Sequence, residues 1–429
     1  REIDIWGLTL NIVNVIIGSG IFVLPAIIAA GLGSQSILAY LICGLLITLV
    51  MMCFAEVGSK ITESGGAYAY MELTFGNYFG FLTAIIFVLA AISADAAIAN
   101  AIMDIIGSLV PSLKSEIFRI LFFLILFSGL AITNIYGVKK GIKLVKYITI
   151  LKLGPLLLLV LVGFGNIDIS NLIWDNAPSI KKIGEISLIL FFAFMGAESA
   201  LSVSGEVNNP KRNIPKAIRN AIIIVLIFYI LIQTVTQGVL GDSLVNYKEN
   251  PLGEVASHIL GPIGLTLLTI GAAVSMFGSV SSTNLSMPRV LFGASNDNVL
   301  PFKKLSSIHK RFNTPFVAVI VYSLLGFLFA SFGGFRQLAI ISSSAILLIY
   351  LGVSLAVIKL RYRDKNKIEK DYFKIKGGLL VPIASSVIVI WFLSNLAKKE
   401  ILVVLLTILF LTIIYFIRMY SKQKNKTLN

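Results

Sequence analysis

Long apolar runs separated by short polar segments recur along the whole chain. Twelve of them are long enough to span a bilayer as helices: 7–31, 35–57, 78–106, 117–136, 144–165, 184–205, 218–240, 263–287, 316–333, 337–358, 379–396 and 401–417. The pattern predicts an all-α membrane protein with twelve transmembrane helices. Two runs are interrupted near their middles. The first carries Ile16-Ile17-Gly18-Ser19-Gly20-Ile21-Phe22, and the sixth carries Phe191-Phe192-Ala193-Phe194-Met195-Gly196-Ala197-Glu198-Ser199-Ala200. Glycine costs a helix interior about 1 kcal/mol relative to alanine. In lipid every freed N–H and C=O must find another partner, so such breaks persist where they line a cavity. The competing explanation for Gly18 and Gly20 is close helix–helix packing.

The two interrupted runs lie five spans apart. A five-helix unit used twice would place each break at the same point of its repeat, and an odd number of spans inverts the second copy. The expected organisation is 1–165 as a first repeat, 184–358 as a second, and 377–420 as two peripheral helices. Discontinuous helices 1 and 6 would then face each other at the membrane midplane.

Composition agrees: 57% of the 429 residues are hydrophobic and 13% charged, with a mean hydropathy of +0.91. A formal net charge of +15 would suggest a nucleic-acid partner in a soluble protein. Of the 36 lysines and arginines, however, 27 fall in the termini and alternate loops of one side, 8 fall on the other, and Lys152 lies inside a span. This asymmetry places both termini in the cytoplasm and disposes of nucleic acid as a partner. The run from Lys359 to Lys376 reads as an ordinary positive-inside loop. The first apolar run is too long for the h-region of a cleavable signal.

Catalytic and metal-binding signatures are missing. His258 and His309 are expected in loops, and Cys43 and Cys53 are about 15 Å apart along one helix, too far to bridge. Val23 stands where a dinucleotide fingerprint needs its third glycine, and no phosphate loop occurs. The chain is therefore read as no enzyme, with no cofactor and no metal. Three ionisable residues, Asp95, Lys152 and Glu198, fall deep in spans, where each costs a few kcal/mol by insertion scales and so marks a functional candidate. The structural alternatives are an Asp95–Lys152 pair inside the bundle, and Glu198 capping the second half of span 6.

Several motifs resemble the amino acid–polyamine–organocation transporters, most closely bacterial amino acid permeases and basic amino acid/polyamine antiporters. They are Gly18-Ser19-Gly20-Ile21-Phe22 followed by Pro25, Glu63-Ser64-Gly65-Gly66-Ala67-Tyr68-Ala69-Tyr70, Phe194 through Ala200, Glu206 through Pro215, and Arg289 through Pro301 followed by Asn313-Thr314-Pro315. The resemblance implies a ten-helix inverted-repeat core plus two helices, in the plasma (inner) membrane, with alternating access to an amino acid held between spans 1, 3, 6, 8 and 10. The physical reading of the same positions agrees. The N–H groups of Ser19, Gly20 and Ile21 can meet a carboxylate, and the carbonyls of Ile17, Phe194 and Met195 an ammonium.

The resemblance further implies that Phe192 closes over substrate, that Asp95 stands at a substrate-contacting position, and that Asn250 through Glu254 forms an outer lid. Thr283 stands where the arginine/agmatine antiporters carry a large aromatic. Lys152 stands where some members carry a lysine in place of sodium, and its ammonium could load and release a proton. If Asp95 and Glu198 both faced the cavity with Lys152 protonated, one net negative charge would remain. The leading expectation is thus an antiporter accepting cationic amino acids or polyamines. A proton-coupled symporter of neutral amino acids is the alternative, and a transport-dead sensor or a channel on the same scaffold follows behind. Expected partners are substrate, lipid bilayer and protons, with a homodimer left open.

Overall fold

A computed structural model describes residues 4–61, 66–136, 141–174, 177–200, 207–300, 302–363 and 373–427. Among them the chain is helical throughout. In order the helices are α1 (Ile5–Ile16), α2 (Gly20–Leu32), α3 (Ile37–Lys60), α4 (Ala67–Phe75), α5 (Asn77–Leu109), α6 (Glu116–Tyr136) and α7 (Gly141–Gly163). They continue as α8 (Ile180–Leu190), α9 (Ala197–Ala200), α10 (Pro210–Leu240), α11 (Pro251–Asn296), α12 (Phe316–Phe332), α13 (Phe335–Arg363), α14 (Leu380–Ser394) and α15 (Lys398–Thr427). Helices dominate because in hydrocarbon each backbone N–H and C=O needs a partner within its own segment. Among the described residues, seven helical stretches are long and apolar enough to cross a membrane, and four shorter helices are apolar over 10–17 residues.

Among the long apolar stretches α5 and α13 are the most buried, each 67% buried over its most apolar window, and they pack on each other, while α15 is 6% buried and lies at the periphery. α5 also packs on α11 and α12, and α1 and α3 both pack on α10. Apolar side chains from all these helices merge into one core, among whose largest fully buried members are Tyr40, Tyr229, Tyr322 and Tyr350.

At one end of the bundle, Arg361 at the end of α13 grips Glu56 of α3. Its Nε and Nη2 donate to the two carboxylate oxygens at 2.7 and 2.6 Å. The backbone N–H of Ile375 donates to the same carboxylate at 2.8 Å, so three separate segments are tied together. Of the motifs quoted above, Glu63 to Gly65, Glu206 and Pro301 lie outside the described residues, as do 364–372 of the basic run. Tyr68 of α4 donates to Asp297 Oδ2 at 3.2 Å. Burial, with the Asp297 carboxylate beside it, pushes the Tyr68 phenol up to about 12, so it stays a donor at working pH.

His258 falls within α11 rather than in a loop, because helix already begins at Pro251. There the side chain of Asn250 accepts from the Gly253 N–H at 3.2 Å and donates to Thr269 Oγ1 at 2.8 Å. Gly261, with φ of +69°, then redirects the helix.

Candidate functional site

The two interrupted helices meet at their breaks. Ile17 leaves the helical region at φ −70° and ψ 81°, and helix resumes at Gly20. On the other side, α8 gives way to a short 3₁₀ turn over Phe191–Phe194, an extended Met195, and Gly196 at φ +106°. Only glycine takes that last conformation without strain. The breaks are also in direct contact. A Cβ placed on Gly20 would lie 2.7 Å from the Cβ and 2.8 Å from the Cα of Ala193, and one on Gly196 would lie 2.9 Å from Val15 Cγ1. Gly18 differs, since its Cβ would meet Ser279 Oγ of α11 at an ordinary 3.6 Å.

Breaking the helix frees backbone groups. The N–H of Gly18 turns back to Ile16 O at 2.7 Å, and that of Phe22 reaches Ser19 O at 3.1 Å. Among the described residues no backbone partner is found for the N–H groups of Ser19, Gly20 and Ile21, nor a backbone donor for the carbonyls of Ile17 and Met195. Donors therefore converge at the start of α2 and acceptors at the ends of the opposing segments, an arrangement able to hold both ends of a zwitterion.

A residue that sequence reasoning missed joins the two breaks. The hydroxyl of Tyr229, on α10, lies 3.0 Å from Ile16 O and 2.9 Å from Ala193 O. Its ring packs edge-on against Phe194, which is fully buried and also faces Tyr40. The signal available in the sequence was the polar series Tyr229, Gln233 and Gln237 at i, i+4 spacing in an apolar span, which puts all three on one helix face. Tyr229→Phe removes a hydroxyl shared by two carbonyls; Ile16 O keeps the Gly18 N–H, and loss of the donor to the Ala193 carbonyl costs about 1–3 kcal/mol. A lowered unfolding temperature is expected for a variant that still purifies as a single species. An unchanged unfolding temperature would mean that the flanking helices alone hold the breaks.

Lys152, 5% exposed, donates to Asn14 O at 2.7 Å and lies 3.5 Å from Asn14 Oδ1. It therefore sits on the carbonyl end of α1, where a helix dipole favours a cation. No Asp95–Lys152 pair forms among the described residues. Asp95, on α5, is fully buried and accepts from Tyr322 of α12 at 2.9 Å. Thr283 lies beside it but donates to Ser279 O at 3.1 Å, so Asp95 Oδ1 has no donor among the described residues.

Glu198 Oε2 accepts from the Gly196 N–H at 3.1 Å and from Tyr350 of α13 at 2.5 Å. It thus satisfies the start of the second half-helix, as the capping alternative expects. Phe192 stacks edge-on with Phe335 of α13 at 5.6 Å, and Met195 Sδ faces Ser343 Oγ at 3.8 Å. The two carboxyl groups bond to tyrosines on different helices. Among the described residues, no three His, Cys, Asp or Glu side chains are placed to hold a metal.

A family profile described as amino acid permease matches residues 3–429. Among known proteins, the serine/threonine exchanger SteT of Bacillus subtilis is 31% identical, over 89% of this chain and 88% of its own length. The methylthioribose transporter of the same bacterium is 27% identical over 99% and 94%, and its branched-chain amino acid permease BcaP 25% over 99% and 94%. A solved structure of a Na⁺-coupled sialic acid symporter, substrate-bound and outward-open, superimposes with a TM-score of 0.58. It is 14% identical, over 91% of this chain and 88% of that one, a likeness of fold.

Proposed function

The chain belongs to the amino acid permease family, and from that premise we propose that it is a secondary transporter carrying an amino acid across the plasma membrane by alternating access. The observation that carries this reading is the meeting of two helix breaks with backbone donors at residues 19–21 and backbone acceptors at residues 17 and 195 that lack a backbone partner among the described residues. The reading includes twelve spans, two inverted repeats over 1–165 and 184–358, two peripheral helices over 377–420, and cytoplasmic termini.

For the substrate side chain we favour a small neutral group, exchanged across the membrane. Two carboxylates facing one cavity were the premise of a cationic substrate. Asp95 and Glu198 instead each accept from a buried tyrosine. Thr283 presents a small polar group beside Asp95, and the relative at 31% identity is a serine/threonine exchanger. The test is counterflow in proteoliposomes with labelled serine, threonine, alanine and leucine against arginine, lysine and putrescine. Exchange of serine, threonine or alanine is expected. Exchange of arginine, lysine or putrescine alone would restore the cationic reading, and exchange of none of them would set aside amino acid transport.

Lys152 is assigned the coupling proton. Its ammonium holds the carbonyl end of α1, so losing the proton weakens its grip on one of the two half-helices that frame the site. Lys152→Ala is expected to give uptake that no longer follows an inward proton gradient, or none. Uptake at several pH values decides. A wild-type pH profile in the variant, or sodium-driven uptake by the wild type, would place the coupling elsewhere.

A further inference from the structure

A cavity of about 390 Å³ opens on the flank of the molecule between α1, α7 and α10. Val13 of α1 and Ile17 just past its end form the floor, Gly154 and Leu157 of α7 one wall, and Ile224 and Phe228 of α10 the other. Val13 and Ile17 are 4% and 1% exposed, whereas Leu157 and Ile224 at the rim are 51% and 48% exposed. The cavity is therefore a groove running inward from the membrane-facing surface to the last residue before Gly18. A Cβ placed on Gly154 would meet nothing within 4 Å, so the absence of a side chain there leaves the groove open. Among the described residues, no polar side chain lines it.

We propose that this groove is a binding site for the acyl tail of a membrane phospholipid, seated with its end against Ile17 beside the first helix break. The depth of the groove selects the occupant. Its floor reaches the break midway along the first apolar run, where the bilayer holds hydrocarbon and neither water nor headgroups. A void in that position would cost its lining the dispersion contacts that a tail restores. An apolar lining without donors or acceptors gives a water molecule nothing to bond. The tail also touches α1 at Val13 and α7 at Leu153, next to Lys152. It thus packs between two elements that the transport reading sets in motion. Binding itself does not depend on that reading.

The experiment uses the full chain in proteoliposomes doped with a phosphatidylethanolamine that carries a photoreactive diazirine near the end of one tail, with labelled residues mapped by mass spectrometry. Labelling of Val13 or Ile17 is expected, and it should saturate at probe levels where labelling of Leu405 and Leu409 on exposed α15 still rises in proportion. Gly154→Phe fills the groove and is expected to abolish labelling of Val13 and Ile17 while leaving that of Leu405 and Leu409 intact. If Gly154→Phe does not purify as a single species, Gly154→Leu and the wild-type saturation curve give the same decision. Labelling confined to the rim residues Leu157 and Ile224 and to α15, or labelling of Ile17 that persists in the filled variant, would overturn the proposal. So would a Leu157→Cys variant that cross-links to a second copy of the chain, since the occupant would then be protein.

Discussion

Gly20→Val is expected to abolish amino acid binding in a protein that still folds. Even the first added carbon would lie 2.7 Å from the Cβ and 2.8 Å from the Cα of Ala193, inside any real contact distance. Ala193 sits in the 3₁₀ turn of the opposing break, and its carbonyl is held by Tyr229, so it cannot step aside without moving α10. The substitution therefore drives the two breaks apart. It separates the donors at residues 19–21 from the acceptor at residue 195 in the opposing break. Overpacking of this kind costs about 1–3 kcal/mol of stability, which a large helical bundle can tolerate, whereas a zwitterion must be met at both ends at once. Calorimetry with the substrate identified by counterflow is the measurement. Gly18→Ala is the control, because its Cβ would make only a 3.6 Å contact with Ser279 Oγ. Wild-type affinity in Gly20→Val would show that the spacing of the breaks does not set binding.

The second large effect is expected far from the breaks. Arg361→Leu leaves the carboxylate of Glu56, whose side chain is 4% exposed, with the Ile375 N–H and no cation. Breaking one side of a buried ion pair costs about 3–5 kcal/mol, most of it the penalty of the stranded charge. The variant should unfold at a markedly lower temperature and yield little monodisperse protein. Glu56→Leu with Arg361→Leu together should recover much of that loss, because two apolar residues of similar bulk strand no charge, only the Ile375 backbone groups. The double variant also tests the tie itself, since it releases α3 from α13 and from the segment at Ile375 without leaving a buried charge. If the double variant is as unstable as Arg361→Leu, the loss comes from missing contacts of the Arg361 stem and not from charge.

Much of the architecture was legible in the sequence. The apolar runs are long because hydrocarbon must be crossed, and among the described residues they overlap helices or interrupted helices, seven of them long and apolar enough to cross a membrane. The breaks were legible for the same reason, since Gly18, Gly20 and Gly196 carry a helix cost that lipid makes hard to offset unless something is gained. The family was legible because its motifs lie in contiguous stretches around those glycines. The local chemistry of the first break also follows from position alone, because a helix that restarts at Gly20 must present the N–H groups of its first turn.

What the sequence did not determine is which groups those breaks and charges meet. Gly20 reads equally well as room for a carboxylate or as room for another helix, and only the tertiary structure puts Ala193 against it. Asp95 and Glu198 read as two charges in one cavity, yet Asp95 is bonded to Tyr322 and Glu198 to Tyr350. An Asp95–Lys152 pair was the structural alternative for Lys152, yet Lys152 reaches the carbonyl of Asn14. Tyr229 was not singled out at all. The physical reason is common to these cases. Helix and span are short-range properties, set by what each residue can bury or bond within its own segment. The partner of a buried polar group is instead chosen by the rotation and crossing of helices distant in sequence, which the packing of many apolar side chains decides together.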